Sequence, residues 1–182
     1  MRKEYDIHIN YKLIPMPTMN YNFRLATLAD IPELKEMFQS TVRTVNIANY
    51  TPEEIEDWAS CADNLPHMAD LITNLYFLLA LNDANQIIGF SSIRQDGYLH
   101  SMFVHKDYQR KGVASFLLRK IEKYAIEHQI KIITSEVSIT AKPFFEKNGY
   151  QVIKEQRMKA NRLELTNYWM RKELITLAIS LI

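Results

Sequence analysis

The clearest chemistry in the sequence lies in six residues, Gln109-Arg110-Lys111-Gly112-Val113-Ala114, set between an apolar run and a long amphipathic one. Where a strand feeds a helix, the first helical N–H groups lack partners and the helix dipole makes that end positive. An anion, above all a diphosphate, fits such a place. Gly112 lets the backbone come close to a ligand, and Ala114 keeps the first turn small. Arg110 and Lys111 add charge suited to phosphates. The second glycine and the Lys-Ser/Thr pair of a Walker loop are missing, and the glycine pattern of a dinucleotide fold is absent too. By itself, Q-x-x-G-x-A fits an ordinary basic helix start equally well. Metal and thiol chemistry find little support. Cys61 is the single cysteine, so an internal disulfide is impossible and a zinc cluster lacks thiols; it reads as a small apolar residue. His8 and His67 have no partners at metal-ligand spacing, and no metal is expected.

The loop needs a strand before it and a helix after it. Tyr98–Val104 supplies the strand, and Gly112–His128 the helix, with Val113, Leu117, Ile121, Tyr124 and His128 on one face. Upstream, YNFRLAT alternates like a strand, and Asp30 with Pro32 opens a helix whose apolar positions are Ile31, Leu34, Met37, Phe38 and Val42. Thr51-Pro52-Glu53-Glu54 starts a second helix. Leu75–Leu81 and Ile87–Arg94 form a hairpin across the turn Asn82–Gln86. Downstream come a strand over Ile130–Val137, a short helix from Pro143 to the Asn148-Gly149 stop, and strands over Tyr150–Met158 and Leu163–Arg171. The order β, α, α, β, β, β, α, β, α, β, β implies a mixed sheet with helices on both faces. A right-handed crossover then sets Tyr98–Val104 parallel to Ile130–Val137.

The 182 residues suit one domain, expected over 20–174, with an extension at 1–19 and an apolar tail at 175–182. At 47% hydrophobic and 24% charged, the composition is that of a globular protein. A net charge of +1 offers no field for gripping nucleic acid or an anionic membrane. No apolar run is long enough to span a bilayer, and MRKEYDIHINYKL has no signal-peptide apolar core, so a cytoplasmic protein is expected. The tail LITLAISLI leaves a homodimer interface and an extension of the last strand both open.

Around the loop stand Val104-His105-Lys106-Asp107-Tyr108 before it and, further on, Ala141-Lys142-Pro143-Phe144-Phe145-Glu146-Lys147-Asn148-Gly149-Tyr150. With these segments and the element order, residues 21–172 resemble the GNAT superfamily of N-acetyltransferases, and TVRTVNIANYTPEEIEDWA resembles a bacterial branch of it. The resemblance implies an α/β (α+β) GNAT fold: a mixed, mostly antiparallel sheet of about seven strands, helices on both faces, and a V-shaped splay between the fourth and fifth strands. It implies transfer of acetyl from acetyl-CoA to a primary amine of a small molecule or peptide, by direct attack in a ternary complex. The other function it admits is a non-catalytic acyl-CoA-binding sensor or interaction module. Pantetheine would pair with backbone of Met102, Phe103 and Val104 in the splay, and the pyrophosphate would sit on amides from Gln109 to Ala114. An amide near Phe103 would polarise the thioester carbonyl.

The resemblance also frames the acid and base. An alkylammonium has a pKa of about 10, so a base or water chain must take its proton. His100, on the strand beside the thioester, is the first candidate, where relatives in this branch more usually carry Asp. Glu136 is the second, since a carboxylate in an apolar strand is costly without a partner. A Glu136–His100 pair across neighbouring strands would orient the imidazole. Many GNAT enzymes protonate the leaving thiolate with a tyrosine where this chain has Phe145, so the proton would come from water, Tyr150 or Tyr108. Ser138 replaces a frequent asparagine and, with Phe145, is expected at the coenzyme. Asn46, Tyr50 and Trp58 lie in a two-helix insertion expected to wall the acceptor site. Glu53, Glu54, Glu56 and Asp57 read as a solvated helix face, and His105 as a loop cap.

Overall fold

The computed structural model describes residues 21–174; the extension at 1–19, with His8, and the tail at 175–182 lie outside them. Strand β1 (Asn22–Leu25) leads through a tight turn into α1 (Ile31–Val45). Asp30 ties the two together. Its carboxylate accepts two bonds of 2.7 Å from the Arg24 guanidinium and a third from Thr27 N, and the Arg24 bonds hold its pKa down at about 2. Helix α2 (Pro52–Ser60) begins as the sequence predicts: Thr51 Oγ1 accepts from Glu54 N at 3.2 Å and the Glu54 carboxylate accepts from Thr51 N at 2.9 Å. A third helix, α3 (Leu65–Asn74), follows where the sequence reading has none. Asn64 caps it, accepting from His67 N at 3.1 Å, and a proline lies in its first turn.

Then come β2 (Tyr76–Leu81), β3 (Ile87–Ile93), β4 (Tyr98–Val104), α4 (Val113–Glu127), β5 (Ile132–Ser138), α5 (Lys142–Lys147), β6 (Gln151–Lys159) and β7 (Glu164–Glu173). They build one seven-stranded sheet, ordered β1-β2-β3-β4-β5-β7-β6, antiparallel except at β4 and β5. The expected GNAT architecture and hairpin are therefore present.

Strand alternation divides the core between the two faces. Leu78 and Ala80 of β2 pack against Val113, Phe116 and Leu117 of α4, whereas Phe77, Leu79 and Leu81 pack against Leu34 and Met37 of α1 and against α3. Under the C-terminal half of α4, Leu118, Ile121 and Ala125 meet Ile133, Val137, Met170 and Phe145. Each fully buried Val, Leu, Ile, Phe or Met among these contributes roughly 1.5–3 kcal/mol. The predicted inward face of α4 holds at Val113, Leu117 and Ile121, but His128 is exposed, its ring bonding Tyr124 O at the helix end. Gly89 lets α4 come this close, because a Cβ there would stand 2.9 Å from Val113 Cγ1 and 3.0 Å from Phe103 O.

Candidate active site

Strands β4 and β5 touch only at their beginnings, where Tyr98 pairs with Thr134 and Leu99 with Ser135. Ser135 Oγ closes this apex by donating to Leu99 O at 2.9 Å. Beyond it β5 follows β7, pairing Glu136 with Trp169 and Ser138 with Asn167, while β4 stays with β3 through Phe90–Phe103 and Gly89–Val104. The sheet splits into a V. His105 N donates to Ile88 O on β3, so the alternation of peptide groups turns the amides of Met102 and Val104 toward the opening and that of Phe103 toward β3. The Val104 carbonyl is already occupied, by Gln109 Nε2 at 2.6 Å and Thr41 Oγ1 at 3.3 Å.

At the open end of β4 the chain enters the predicted anion loop. His105 Nδ1 accepts from Asp107 N at 3.2 Å, which is the loop-capping role expected of it. Gly112 caps α4 in a left-handed conformation, φ +83°, and as a glycine offers the helix start no side-chain cap. A Cβ on Gly112 would meet nothing within 4 Å, so the glycine is required by backbone angle rather than by space. Phe116 N makes the first helical bond back to Gly112 O, leaving the amides of Val113, Ala114 and Ser115 available to an anion. Lys111 Nζ lies 4.8 Å from the centre of the Tyr108 ring, and Tyr21 OH fixes the Lys111 carbonyl at 2.6 Å. The opening and loop together fit a diphosphate on an amide-bearing arm.

One cavity of about 1140 Å³ joins the loop, the V and the inner surface of α1, α2 and α3. Of the site residues expected from sequence, only Lys111 falls outside its lining. The cavity brings together Gln109, Arg110, Gly112, Val113 and Ala114 at the loop, Met102, Phe103 and Val104 on β4, Ser138 and Phe145 beyond β5, and His100 and Glu136 between them. Ser138 Oγ accepts from Ala141 N at 3.1 Å. Tyr150 is 2% exposed in the core and does not reach the cavity, which removes it as a proton donor; Tyr108 does line the cavity, its hydroxyl bonded to Asn82 at 2.9 Å.

His100 occupies a β-bulge. Ser92 pairs with Ser101 and Ile93 with Leu99, so His100 is the extra residue, and such bulges re-aim side chains beside active sites. Its Nδ1 lies 2.7 Å from Ser101 Oγ, and its ring meets His67 of α3 edge-on at 6.1 Å and Tyr98 at 5.9 Å. Burial, then the charges of His67 and Arg94, push the imidazole down to about 4, so it is neutral and proton-accepting at neutral pH. The expected Glu136–His100 pair does not form: no hydrogen bond or ion pair joins them. Burial, and then the Glu136 carboxylate, push the Tyr98 phenol up to about 12.

The acceptor-side wall is more tightly tied than the sequence suggests. Asn46 donates to Thr140 Oγ1 at 3.1 Å, and the Tyr50 hydroxyl bridges Thr166 O at 2.8 Å and Ile139 N at 2.9 Å, strapping α1 and α2 to β5 and β7. Trp58 meets Tyr50 edge-on at 5.4 Å. Asp57 is not on a solvated face. It is 1% exposed, and its carboxylate accepts from the amides of Asn161, Arg162 and Leu163 in the β6–β7 turn and from Arg162 Nε. Burial works against its ionisation, yet these donors hold it at about 2. Sequence reasoning missed Asp57, Thr41, Tyr98 and His67 as contributors. Only His67 had a local signal, the Asn64–Pro66 helix start.

A model of the acetyltransferase (GNAT) domain matches residues 46–174. The chain belongs to the GNAT acetyltransferases. A relative, the uncharacterised N-acetyltransferase YafP of Escherichia coli, is 33% identical over 152 residues, covering 84% of this chain and 95% of its own length. Among solved GNAT structures, a GCN5-related N-acetyltransferase from Rhodopseudomonas palustris superposes with a TM-score of 0.83 at 26% identity, over 87% of this chain and 99% of that one. The PaiA N-acetyltransferase of Thermoplasma acidophilum, solved with coenzyme A, shares the fold at a TM-score of 0.70 and 21% identity, over 86% of this chain and 100% of that one. Among the described residues of this GNAT domain, no helix is long and apolar enough to cross a membrane, and no cluster of metal-ligating side chains occurs.

Proposed function

We propose that this GNAT domain transfers the acetyl group of acetyl-CoA to a primary amine by direct attack within a ternary complex. One observation carries the reading: the start of α4 at Gly112, the open edge of β4 and the half-buried, neutral His100 face a single cavity. The loop amides would hold the pyrophosphate, with Arg110 supplying charge, and the Met102 and Val104 amides would meet the pantetheine arm. The amine nitrogen attacks the thioester carbonyl carbon, the carbon–sulfur bond breaks, and the sulfur leaves as thiolate. Of the two protons the ammonium loses, one ends on the thiol and one leaves for solvent.

With a pKa of about 4, His100 is too weak a base to strip an alkylammonium of pKa about 10 directly. It suits the later step, taking the proton from the far more acidic nitrogen of the tetrahedral adduct. The thiolate, of pKa about 8.5, can depart without a dedicated acid, which accommodates Phe145. That same phenylalanine favours the second reading, a coenzyme-binding sensor without turnover. Thiol release on mixing the protein with acetyl-CoA and amines separates the two: release that depends on the amine supports transfer, and tight acetyl-CoA binding without release supports the sensor.

A further inference from the structure

The two ends of the cavity differ in chemistry. Its lining contains a single carboxylate, Glu136, which has no ion-pair or hydrogen-bond partner among the described residues. The lining cations are elsewhere: Arg110 in the anion loop, Lys147 at the end of α5, and Lys159 exposed on β6. From Glu136 toward α1 and α3 the wall is aromatic and aliphatic. Phe103 is its centre, edge-on to Phe38 at 4.8 Å and to Trp58 at 6.2 Å, and tilted on Phe90 at 5.3 Å.

Several polar groups of this wall are already committed to the protein. Asn46 is bonded to Thr140, Tyr50 to Thr166 and Ile139, Thr41 to Val104, and Asn64 to the amide of His67. Asn167 also lines the cavity, its Oδ1 closed off from solvent and without a partner among the described residues. A sugar or a polyamine drawn into such a space gives up water for few new partners, which is costly. A flat apolar body gives up nothing polar and gains ring contacts.

We infer that the acceptor is a monoamine on an apolar, arene-sized body, in chemical class an arylalkylamine. Its ammonium sits on Glu136 and its ring against Phe38, Trp58 and Phe103. The inference rests on the acetyl-transfer reading and deepens it by naming the acceptor class.

The test uses the full chain at saturating acetyl-CoA, with thiol release measured for 2-phenylethylamine, spermidine, kanamycin and a glycyl peptide. In parallel, saturation-transfer NMR follows 2-phenylethylamine on the protein–coenzyme A complex, so that binding is read without turnover. The expected result is a kcat/KM for 2-phenylethylamine more than about tenfold above the other three. Trp58→Ala and Glu136→Gln should each raise its KM about tenfold while the acetyl-CoA Kd stays unchanged, which also reports an intact fold. Equal or better use of spermidine, kanamycin or the peptide overturns the acceptor class and leaves acetyl transfer standing. Binding of 2-phenylethylamine with no amine turned over supports the acceptor pocket and overturns transfer. Neither binding nor turnover of 2-phenylethylamine overturns the inference.

Discussion

The ring of His67, on α3, stands edge-on to the ring of His100 in the β4 bulge, with centroids 6.1 Å apart. One histidine is exposed and the other half-buried, so the candidate base has an exposed imidazole as its neighbour. The pH dependence of the site follows from this. Burial acts first on His100, then His67 and Arg94, and all three favour its neutral form; Tyr98 packs edge-on against the same ring. With His100 near 4, turnover should rise with pH through the ionisation of the bound amine and show no inflection near 6.5. His67→Gln removes one of the three influences, so the His100 pKa climbs and an acid limb should enter the kcat profile. A profile identical in both proteins contradicts the coupling.

The same shift bears on stability. The folded-state pKa of His100 lies below the unfolded value of about 6.5. Above that pH the residue is neutral in both states and has no effect. As pH falls from 6.5 toward 4 the unfolded chain takes up a proton that the folded chain refuses, and stability is lost. Asp30, at about 2 when folded, adds a second loss only below its ordinary carboxylate range. Thermal melts from pH 7 to 4 should therefore show a falling Tm already between 6.5 and 4, and His100→Gln should flatten that part of the curve.

Replacing His100 by Gln should lower kcat by about 10²- to 10⁴-fold, with little change in acetyl-CoA affinity, if it takes the proton of the adduct. Glu136→Gln should act mainly on the amine KM, because its carboxylate lines the cavity without touching His100. Steady-state kinetics on one amine separates the two effects.

How much of this was legible in the sequence differs element by element. The anion loop and α4 were readable because a glycine, a helical period and a preceding strand coincide at Gly112. Helix α3 was not, because its apolar Leu71 and Ile72 run into the buried strand that follows and blur the period, although Asn64 and Pro66 marked its start. The bulge at His100 is a shift of one residue in pairing, which leaves no trace in residue types. Asp57 sits among Glu53, Glu54 and Glu56, and only partners 104 to 106 residues away make it different.

Asp57→Asn tests that clamp. It keeps the size and removes the charge that four donors of the β6–β7 turn share. Tm should fall by several degrees, and the amine KM should rise, because Met158, Lys159 and Ala160 of the same hairpin line the cavity. Calorimetry with an amine titration checks both, and a variant that melts like the parent contradicts the clamp.

Gly112→Ala places a Cβ in open space but at φ +83°, where a non-glycine residue costs about 1 kcal/mol. The loop should relax out of its left-handed turn and weaken acetyl-CoA binding about tenfold by isothermal titration, while the amine-side wall is unaffected. Unchanged affinity would mean that the pyrophosphate is held elsewhere.

The central claim is tested most directly by initial rates of free-thiol release, measured while acetyl-CoA and one accepted amine are varied together, with mass detection of the amine product. Direct attack predicts intersecting double-reciprocal lines and one N-acetyl product for each thiol freed. Parallel lines, thiol release that ignores the amine, or tight acetyl-CoA binding with no acetylated product would contradict the account.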